Sequence, residues 1–311
     1  MFEKRPPEKQ TKQFEKRGGI VKIKSYSRLL ALGIIILSMI TIGCAATKSA
    51  VGDLQTGLVL EYRFPQDQTL TYKADANSVQ NQDMMGQTMT TTIKTDAGYS
   101  IKGTGADDQN NLMAQVTINN IDLAINSMQG NTNPDTSGLS GKSFSATYSP
   151  KGKEVEVTGL DELPKISMGM GGERSAKEFF TDLLPLLPDK AVKTGDTWTT
   201  PIDRSVQQGP ITLTIKGEAV NVLEGVETVQ GMECVVIKTR TENAIEGSGS
   251  QMGMELKIKG TSKRTATLYF AYKEGMLVKI KNDESSKIDI DAGTMVIPQT
   301  SESKSEVELV L

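Results

Sequence analysis

Side chains able to do chemistry are sparse in this sequence, and their spacing excludes most reaction classes. Histidine is absent, which removes the commonest general base and the commonest zinc ligand together. Ser-His-Asp, Cys-His and His-metal sites are therefore excluded. There are two cysteines, Cys44 and Cys234. Cys234 lies in the run Met232-Glu233-Cys234-Val235-Val236-Ile237, which reads as a buried strand and makes it a small core residue, not a reactive thiol. Methionines gather at Met84, Met85 and Met89, at Met168 and Met170, and at Met252 and Met254. Thioethers bind Cu(I), but without His or a second cysteine nearby these read as filling for irregular apolar gaps. Asp289 and Asp291, with Gly293, hold a fragment of a calcium loop, yet alternation puts both carboxylates on the polar face of a strand. Gly141-Lys142-Ser143 lacks the earlier glycine of a phosphate loop, since Thr136 stands there. Ser301 and Lys304 have Ser-x-x-Lys spacing, but on a strand they face opposite ways. The chain is expected to be non-enzymatic, with no catalytic residue, metal or cofactor.

Charge sharpens that exclusion. Residues 1–43 hold nine Lys/Arg and three Asp/Glu, leaving 26 basic and 35 acidic residues in 44–311, a net of −9. An acidic body without a basic stripe is not built to bind nucleic acid.

The thiol with a chemical context is Cys44. Leu29 to Ile42 is an uncharged run of 14 residues, preceded by Lys22, Lys24 and Arg28 and closed by Gly43 and Cys44. A transmembrane helix needs about 20 residues, whereas this length suits the apolar region of a signal peptide. The arrangement resembles the bacterial lipobox, in which a small residue precedes the cysteine that receives diacylglycerol. Thr41 departs from the leucine most common there, while Ile40 and Ile42 keep the surroundings apolar. The resemblance implies cleavage between Gly43 and Cys44 and lipidation of Cys44. Acyl chains contribute about 0.8 kcal/mol per buried CH₂, so several of them anchor a protein stably. Ala45 is not Asp, and by resemblance to lipoprotein sorting this implies the outer membrane in a diderm organism, and otherwise the outer face of the cytoplasmic membrane. Residues 1–20 are long for a signal start, and Val21 opens a normal one. They are expected to be a non-native N-terminal extension, followed by a signal peptide over 21–43 and a flexible tether over 44–56.

Period-two alternation dominates the remainder. Leu58, Leu60, Tyr62 and Phe64 share a face, as do Val116 and Ile118, and then Ile121, Leu123 and Ile125 on the other parity. The slip at Asn119-Asn120 predicts a bulge or tight turn. Ser149-Pro150-Lys151-Gly152 predicts a hairpin between Phe144–Tyr148 and Val155–Val157, and the polar stretch 126–143 a long exposed loop. Ser175-Ala176-Lys177-Glu178 is a capping box, and apolar residues at helical spacing follow it, predicting a helix over 175–187. Beyond Trp198, Ala266, Leu268, Phe270 and Tyr272 share a face, Lys273-Glu274-Gly275 turns the chain, and Met276, Val278, Ile280, Ile288 and Ile290 share parity on one long return strand. The fold class expected is mainly β: an antiparallel meander, sandwich or open barrel of long strands. A first β region spans 57–160, a helical connector carrying the amphipathic helix 161–194, and a second β region 195–311.

Leu187-Pro188 followed by Gly195-Asp196-Thr197-Trp198, and the opening Tyr62-Arg63-Phe64-Pro65, resemble segments of uncharacterised bacterial lipoproteins and secreted proteins. That resemblance implies a β-rich fold and no established activity. Gly195-Asp196 suits a turn, and Trp198 is expected to plug the core beside the helix. Thr267 to Lys279 is more distantly similar to the hairpins of periplasmic lipoprotein carriers, which enclose acyl chains between a curved sheet and a helix.

These readings converge on a membrane-anchored cell-envelope lipoprotein acting as a binding or scaffolding module, with an envelope protein as partner. The alternative is a periplasmic or outer-membrane carrier of a hydrophobic, lipid-like ligand. Phe179, Phe180, Met254 and Phe270 are the candidate ligand-lining residues for the carrier. A dry apolar cavity of several hundred Å³ would favour the carrier and a filled core the scaffold.

Overall fold

The computed structural model describes residues 52–311 except 85, 129, 169–171, 209, 252–253 and 294. Gly43, Cys44, the signal peptide and most of the tether lie outside the described residues. The first strands, β1 (Gly52–Asp53) and β2 (Gly57–Leu58), form a small hairpin. Then come β3 (Thr69–Met84), β4 (Gln87–Ala106), β5 (Leu112–Ser127), β6 (Gly130–Thr132), β7 (Ser143–Tyr148) and β8 (Glu154–Thr158). A connector follows, holding the short pair β9 (Ile166–Ser167) and β10 (Glu173–Arg174) and a single helical turn, α1 (Lys177–Phe180). The chain ends in six long strands, β11 (Thr197–Gln208), β12 (Ile211–Val229), β13 (Met232–Gln251), β14 (Met254–Ala271), β15 (Met276–Asp291) and β16 (Val296–Val310).

The long strands form one antiparallel sheet of 12 strands, ordered β11-β12-β13-β14-β15-β16-β3-β4-β5-β7-β8, with β6 on β5. The two β regions anticipated from sequence are thus halves of one sheet, joined where β16 pairs with β3 from Gln299↔Gln82 to Val310↔Thr71. The path ends at β8 on one side and β11 on the other, so the sheet does not close into a barrel. Turn chemistry sets the register. At the β12–β13 turn both central residues, Gln230 (φ 50°) and Gly231 (φ 79°), are left-handed, the conformation that matches strand twist in a two-residue hairpin. The slip at Asn119-Asn120 is a register shift opposite Gly98 and Tyr99. Pro201 sits on the edge strand β11, where a missing N–H costs no ladder bond and blunts the edge.

The predicted helix over 175–187 is cut to one turn. The capping box does form, with Glu178 Oε1 accepting from the Ser175 N–H (3.1 Å) and Ser175 Oγ accepting from the Lys177 N–H (3.2 Å). Thr181 then turns extended (φ −96°, ψ 158°) and Asp182 left-handed (φ 53°). Pro185 and Pro188 disfavour the helical conformation of the residues before them, so the apolar spacing of Leu183, Leu184 and Leu187 is spent on an irregular strap. The stretch 126–143 also departs from a plain exposed loop. Strand β5 runs to Ser127, β6 pairs back onto it, and Leu139 is buried in the core.

The two faces of the sheet differ sharply. Outward positions carry ion pairs, within β3 between Lys73 and Asp75 (3.2 Å) and across strands between Lys73 and Asp96 (3.3 Å), Lys279 and Glu306 (2.6 Å) and Lys304 and Asp283 (3.6 Å). A bilayer-embedded strand would put apolar residues outward. This convex face meets water. The inward face is apolar at one end, where Tyr72 stacks on Tyr99 (5.3 Å between centroids), Tyr62 meets Phe270 edge-on (5.1 Å), and the Phe180 ring packs against Tyr99 and Phe144 (6.3 Å each). Leu58, Leu160, Leu184, Leu187 and Val192, all outside the large sheet, fill this end. The Gly195-Asp196 turn docks on β12, with Gly195 N–H donating to Leu223 O (2.8 Å) and Leu223 N–H to Asp196 O (3.1 Å). Trp198 is half-buried against the core.

Candidate functional site

Where the apolar plug ends, the curved sheet leaves a cleft of about 690 Å³, a size typical of ligand sites. Its floor is the inward parity of the central strands: Ala74 on β3, Ile237 on β13, Leu268 on β14, Ile280 on β15 and Val307 on β16. Its roof is the strap after α1, with Phe179, Leu183, Leu184 and Leu186 facing the same space. The strap also spans the seam between the two sheet edges. Glu154 Oε2 on β8 accepts from the Asp182 N–H (3.4 Å), and the Asp182 carboxylate meets Arg204 Nη1 on β11 (3.4 Å). Burial, partly offset by that backbone bond, raises the Glu154 carboxyl above the usual carboxylate range. Both Asp182 and Arg204 are largely exposed, so their pair adds little stability and bridges a gap rather than locking it.

Toward the mouth the floor turns polar. Asn221, Thr239, Thr241, Asn243, Ser262, Arg264, Asn282 and Ser305 all lie on inward positions of β12 to β16, in registered rows. Asn221 is saturated, its Nδ2 donating to Trp198 O (3.3 Å) and Thr200 Oγ1 (3.2 Å) and its Oδ1 accepting from Thr239 (2.8 Å). Asn282 is bonded at both ends, its Nδ2 donating to Ser305 (3.1 Å) and its Oδ1 accepting from Arg264. Arg264 and Asn243 are not. Nε (3.1 Å) and Nη2 of Arg264 converge on the one Asn282 oxygen, and among the described residues this guanidinium has no ion-pair partner. Asn243, 9% exposed, donates to Ser262 Oγ (3.2 Å) while its Oδ1 is buried without a partner.

A larger hollow, about 800 Å³, lies on the outward face, where charged residues such as Asp75, Lys94, Asp283 and Lys304 stand among Ala76, Leu123, Ala124 and Pro134. Within it Lys281 pairs with Glu306 and Lys304 with Asp283 at the surface. The cleft has in addition a roof, the strap, over its apolar floor, and is the better candidate.

The four residues anticipated as lining do not come together. Phe179 faces the cleft. Phe180 (2% exposed) and Phe270 (0%) are core side chains, buried because the plug packs against them, and this corrects their expected role. Met254 opens β14 and is 49% exposed, away from the cleft lining. Met84 and Met89 lie on β3 and β4, separated from Met254 by β15 and β16, while Met85, Met170 and Met252 lie outside the described residues. Cys234 is buried, with its thiol pushed up to about 11 by burial, an inert core sulfur as its sequence context implied. Asp289 and Asp291 are both exposed on β15. Arg264 is the residue the sequence reading passed over. The signal available was its parity: it continues the inward set Ala266, Leu268 and Phe270, where an ionic side chain does not belong in a filled core.

No curated protein matches the chain. Among solved structures it is similar to lipovitellin, described for its lipid–protein interactions, at 11% identity and a TM-score of 0.45, over 80% of this chain and 26% of that one. It is also similar to an outer membrane channel from Pseudomonas putida F1, at 8% identity and a TM-score of 0.28, over 80% and 98% of the two chains. A DUF1329 family protein from Desulfovibrio piger is similar at 12% identity and a TM-score of 0.14, over 76% and 85%. The chain thus spans about a quarter of lipovitellin, 26%, and at such scores none of these likenesses bears on a ligand. Residues 168–277, from the connector through β14 and including the Gly-Asp-Thr-Trp turn, match the model of a family of unknown function, DUF6263.

Proposed function

We propose that this chain is a non-enzymatic cell-envelope protein, lipid-anchored through Cys44, whose curved sheet carries a hydrophobic, lipid-like ligand. The observation that supports the carrier over the scaffold is the cleft of about 690 Å³ between the apolar floor of the sheet and the strap. Leu268 (3% exposed) and Ile280 (7%) are already covered, so the apolar surface a ligand's chain would take from water is that of Ala74, Val307, Phe179, Leu183 and Leu186, which are partly or well exposed in the lining. Covering it contributes roughly 25 cal/mol per Å² of apolar surface removed from water. The sheet edges β8 and β11 are not hydrogen-bonded to one another, and the irregular strap between them offers a route in. A water-facing convex surface suits a carrier standing clear of the bilayer on a tether.

Two measurements test the two halves of this reading. Full-length protein extracted from membranes in mild detergent and examined by native mass spectrometry is expected to retain species in the mass range of lipids. Protein that is ligand-free under these conditions, and that enhances no fluorescence of an apolar naphthalene dye, would sink the carrier. Separately, Cys44→Ser is expected to abolish metabolic labelling with palmitate. A variant labelled as strongly as the parent refutes the anchor and leaves the carrier standing.

A further inference from the structure

We infer that the cleft selects ligands with an acidic head, a carboxylate or a phosphate on a single apolar chain, and that Arg264 is the residue that reads it. The inference rests on the carrier reading and names its ligand class. The guanidinium of Arg264 stands on an inward position of β14, half-buried, one row along the strand from Ala266 and two from Leu268. Five N–H donors point from such a group in a fixed fork. Two of them are used, and both on a single neutral amide oxygen. Loss of hydration is the main influence on this side chain and disfavours its charge, while Glu284, its registered neighbour on β15, supports the charge without an ion pair and Arg204 opposes it. A partly dehydrated cation with no bonded counter-charge is costly, and sheets do not keep one inside without a use. An entering anion removes that cost with charge-assisted, bidentate hydrogen bonds.

Geometry fixes how the rest of the ligand lies. Arg264 to Leu268 is about 14 Å along the strand. A head held at Arg264 therefore sends its chain over Ala266 and Leu268 toward Phe179 and Leu183 under the strap. Asn243 lines the cleft at this level, nine-tenths buried, with its Nδ2 on Ser262 Oγ and its unpaired Oδ1 buried toward Gly217 on β12. Glu284, inward, exposed and directly opposite Arg264 in the register, opposes an anion here, and Glu154, Asp182 and Asp203 stand elsewhere in the lining.

The test uses delipidated full-length protein held in amphipol, with dodecanoic acid, dodecyl phosphate and 1-dodecanol as probes that differ only at the head. An acid or phosphate affinity about ten-fold or more above that of the alcohol is expected, the scale of one charge-assisted hydrogen bond. The tighter of the two acidic probes identifies the head. In Arg264→Gln the preference of acid over alcohol should vanish, in Arg264→Lys it should partly persist, and in Glu284→Gln the acids should tighten. Near-ultraviolet circular dichroism of each variant confirms that it is folded. Equal affinity for all three probes in the parent, or a preference that survives Arg264→Gln, overturns the inference and leaves the carrier intact. Failure of every probe to bind overturns both.

Discussion

Replacing Phe270 with alanine is expected to cost about 3–5 kcal/mol of stability, the range for emptying a fully buried aromatic site. Phe270 is 0% exposed and sits on β14 between two long partner strands, so the backbone around it has no freedom to collapse into the void. Its ring meets Tyr62 edge-on at 5.1 Å, an arrangement worth about 0.5–1.5 kcal/mol beyond its area. Tyr62 in turn donates from its hydroxyl to Pro185 O (2.9 Å), which is part of the strap. Losing Phe270 thus loosens the element that roofs the cleft as well as the core. The measurement is urea unfolding of the full chain, followed by the fluorescence of Trp198, the sole tryptophan. Phe179→Ala is the contrast: a half-buried cleft residue, it should cost far less stability and show its effect in ligand retention. Similar losses at the two positions would mean that Phe270 is not the seat of the plug.

That contrast also marks what the sequence made legible. Alternation places Phe270 on the inward face correctly, but alternation reports only a side of the sheet. Whether an inward residue meets a filled core or an open cleft depends on how far the plug reaches, and the plug comes largely from the connector, more than 70 residues before Phe270 in sequence. The strand order shows the same limit. Local pattern finds most of the long strands and several turns, including Gly195-Asp196 and Lys273-Glu274-Gly275, yet nothing local says that β16 returns to β3. The helix stops short for the opposite reason: its apolar spacing is genuine, and two prolines and the left-handed Asp182 decide against it.

The polar belt was legible in principle. Ile280 and Ile288 share parity on β15, and the skipped positions of that parity between them are Asn282, Glu284 and Ser286. On β14 the inward parity likewise passes from Leu268 and Ala266 to Arg264 and Ser262. Two adjacent strands that turn polar at matched heights on their inward face indicate a lined space, since a filled core excludes unpaired charge. Reading parity for what interrupts the apolar run, and not only for the run itself, would have found Arg264.

Gly260→Val should prove nearly as damaging as the loss of Phe270, at about 3 kcal/mol, the upper part of the range for overpacking. Glycine inside a strand marks a sharp bend or a close backbone approach, and Gly260 faces inward on β14 opposite Ile245 and Ile288. A β-carbon there would stand 2.2 Å from Lys287 O and 2.5 Å from Ile288 Cγ2. The first of these is backbone in a paired strand and cannot swing aside, so β14 and β15 must separate. Gly217 on β12 is hemmed in alike, with Glu242 O at 2.2 Å and Asn243 Oδ1 at 2.4 Å. These positions let the inner face shorten relative to the outer one, which is what curls a wide sheet around a cleft. Gly225→Ala is the control, because at that bulge no atom lies within 4 Å of an added β-carbon. Chemical unfolding should separate the two variants clearly, and hydrogen exchange should locate the lost protection along β14 and β15. Were Gly260→Val as stable as Gly225→Ala, the sheet would not be curled tightly there, and the cleft would lose its physical cause.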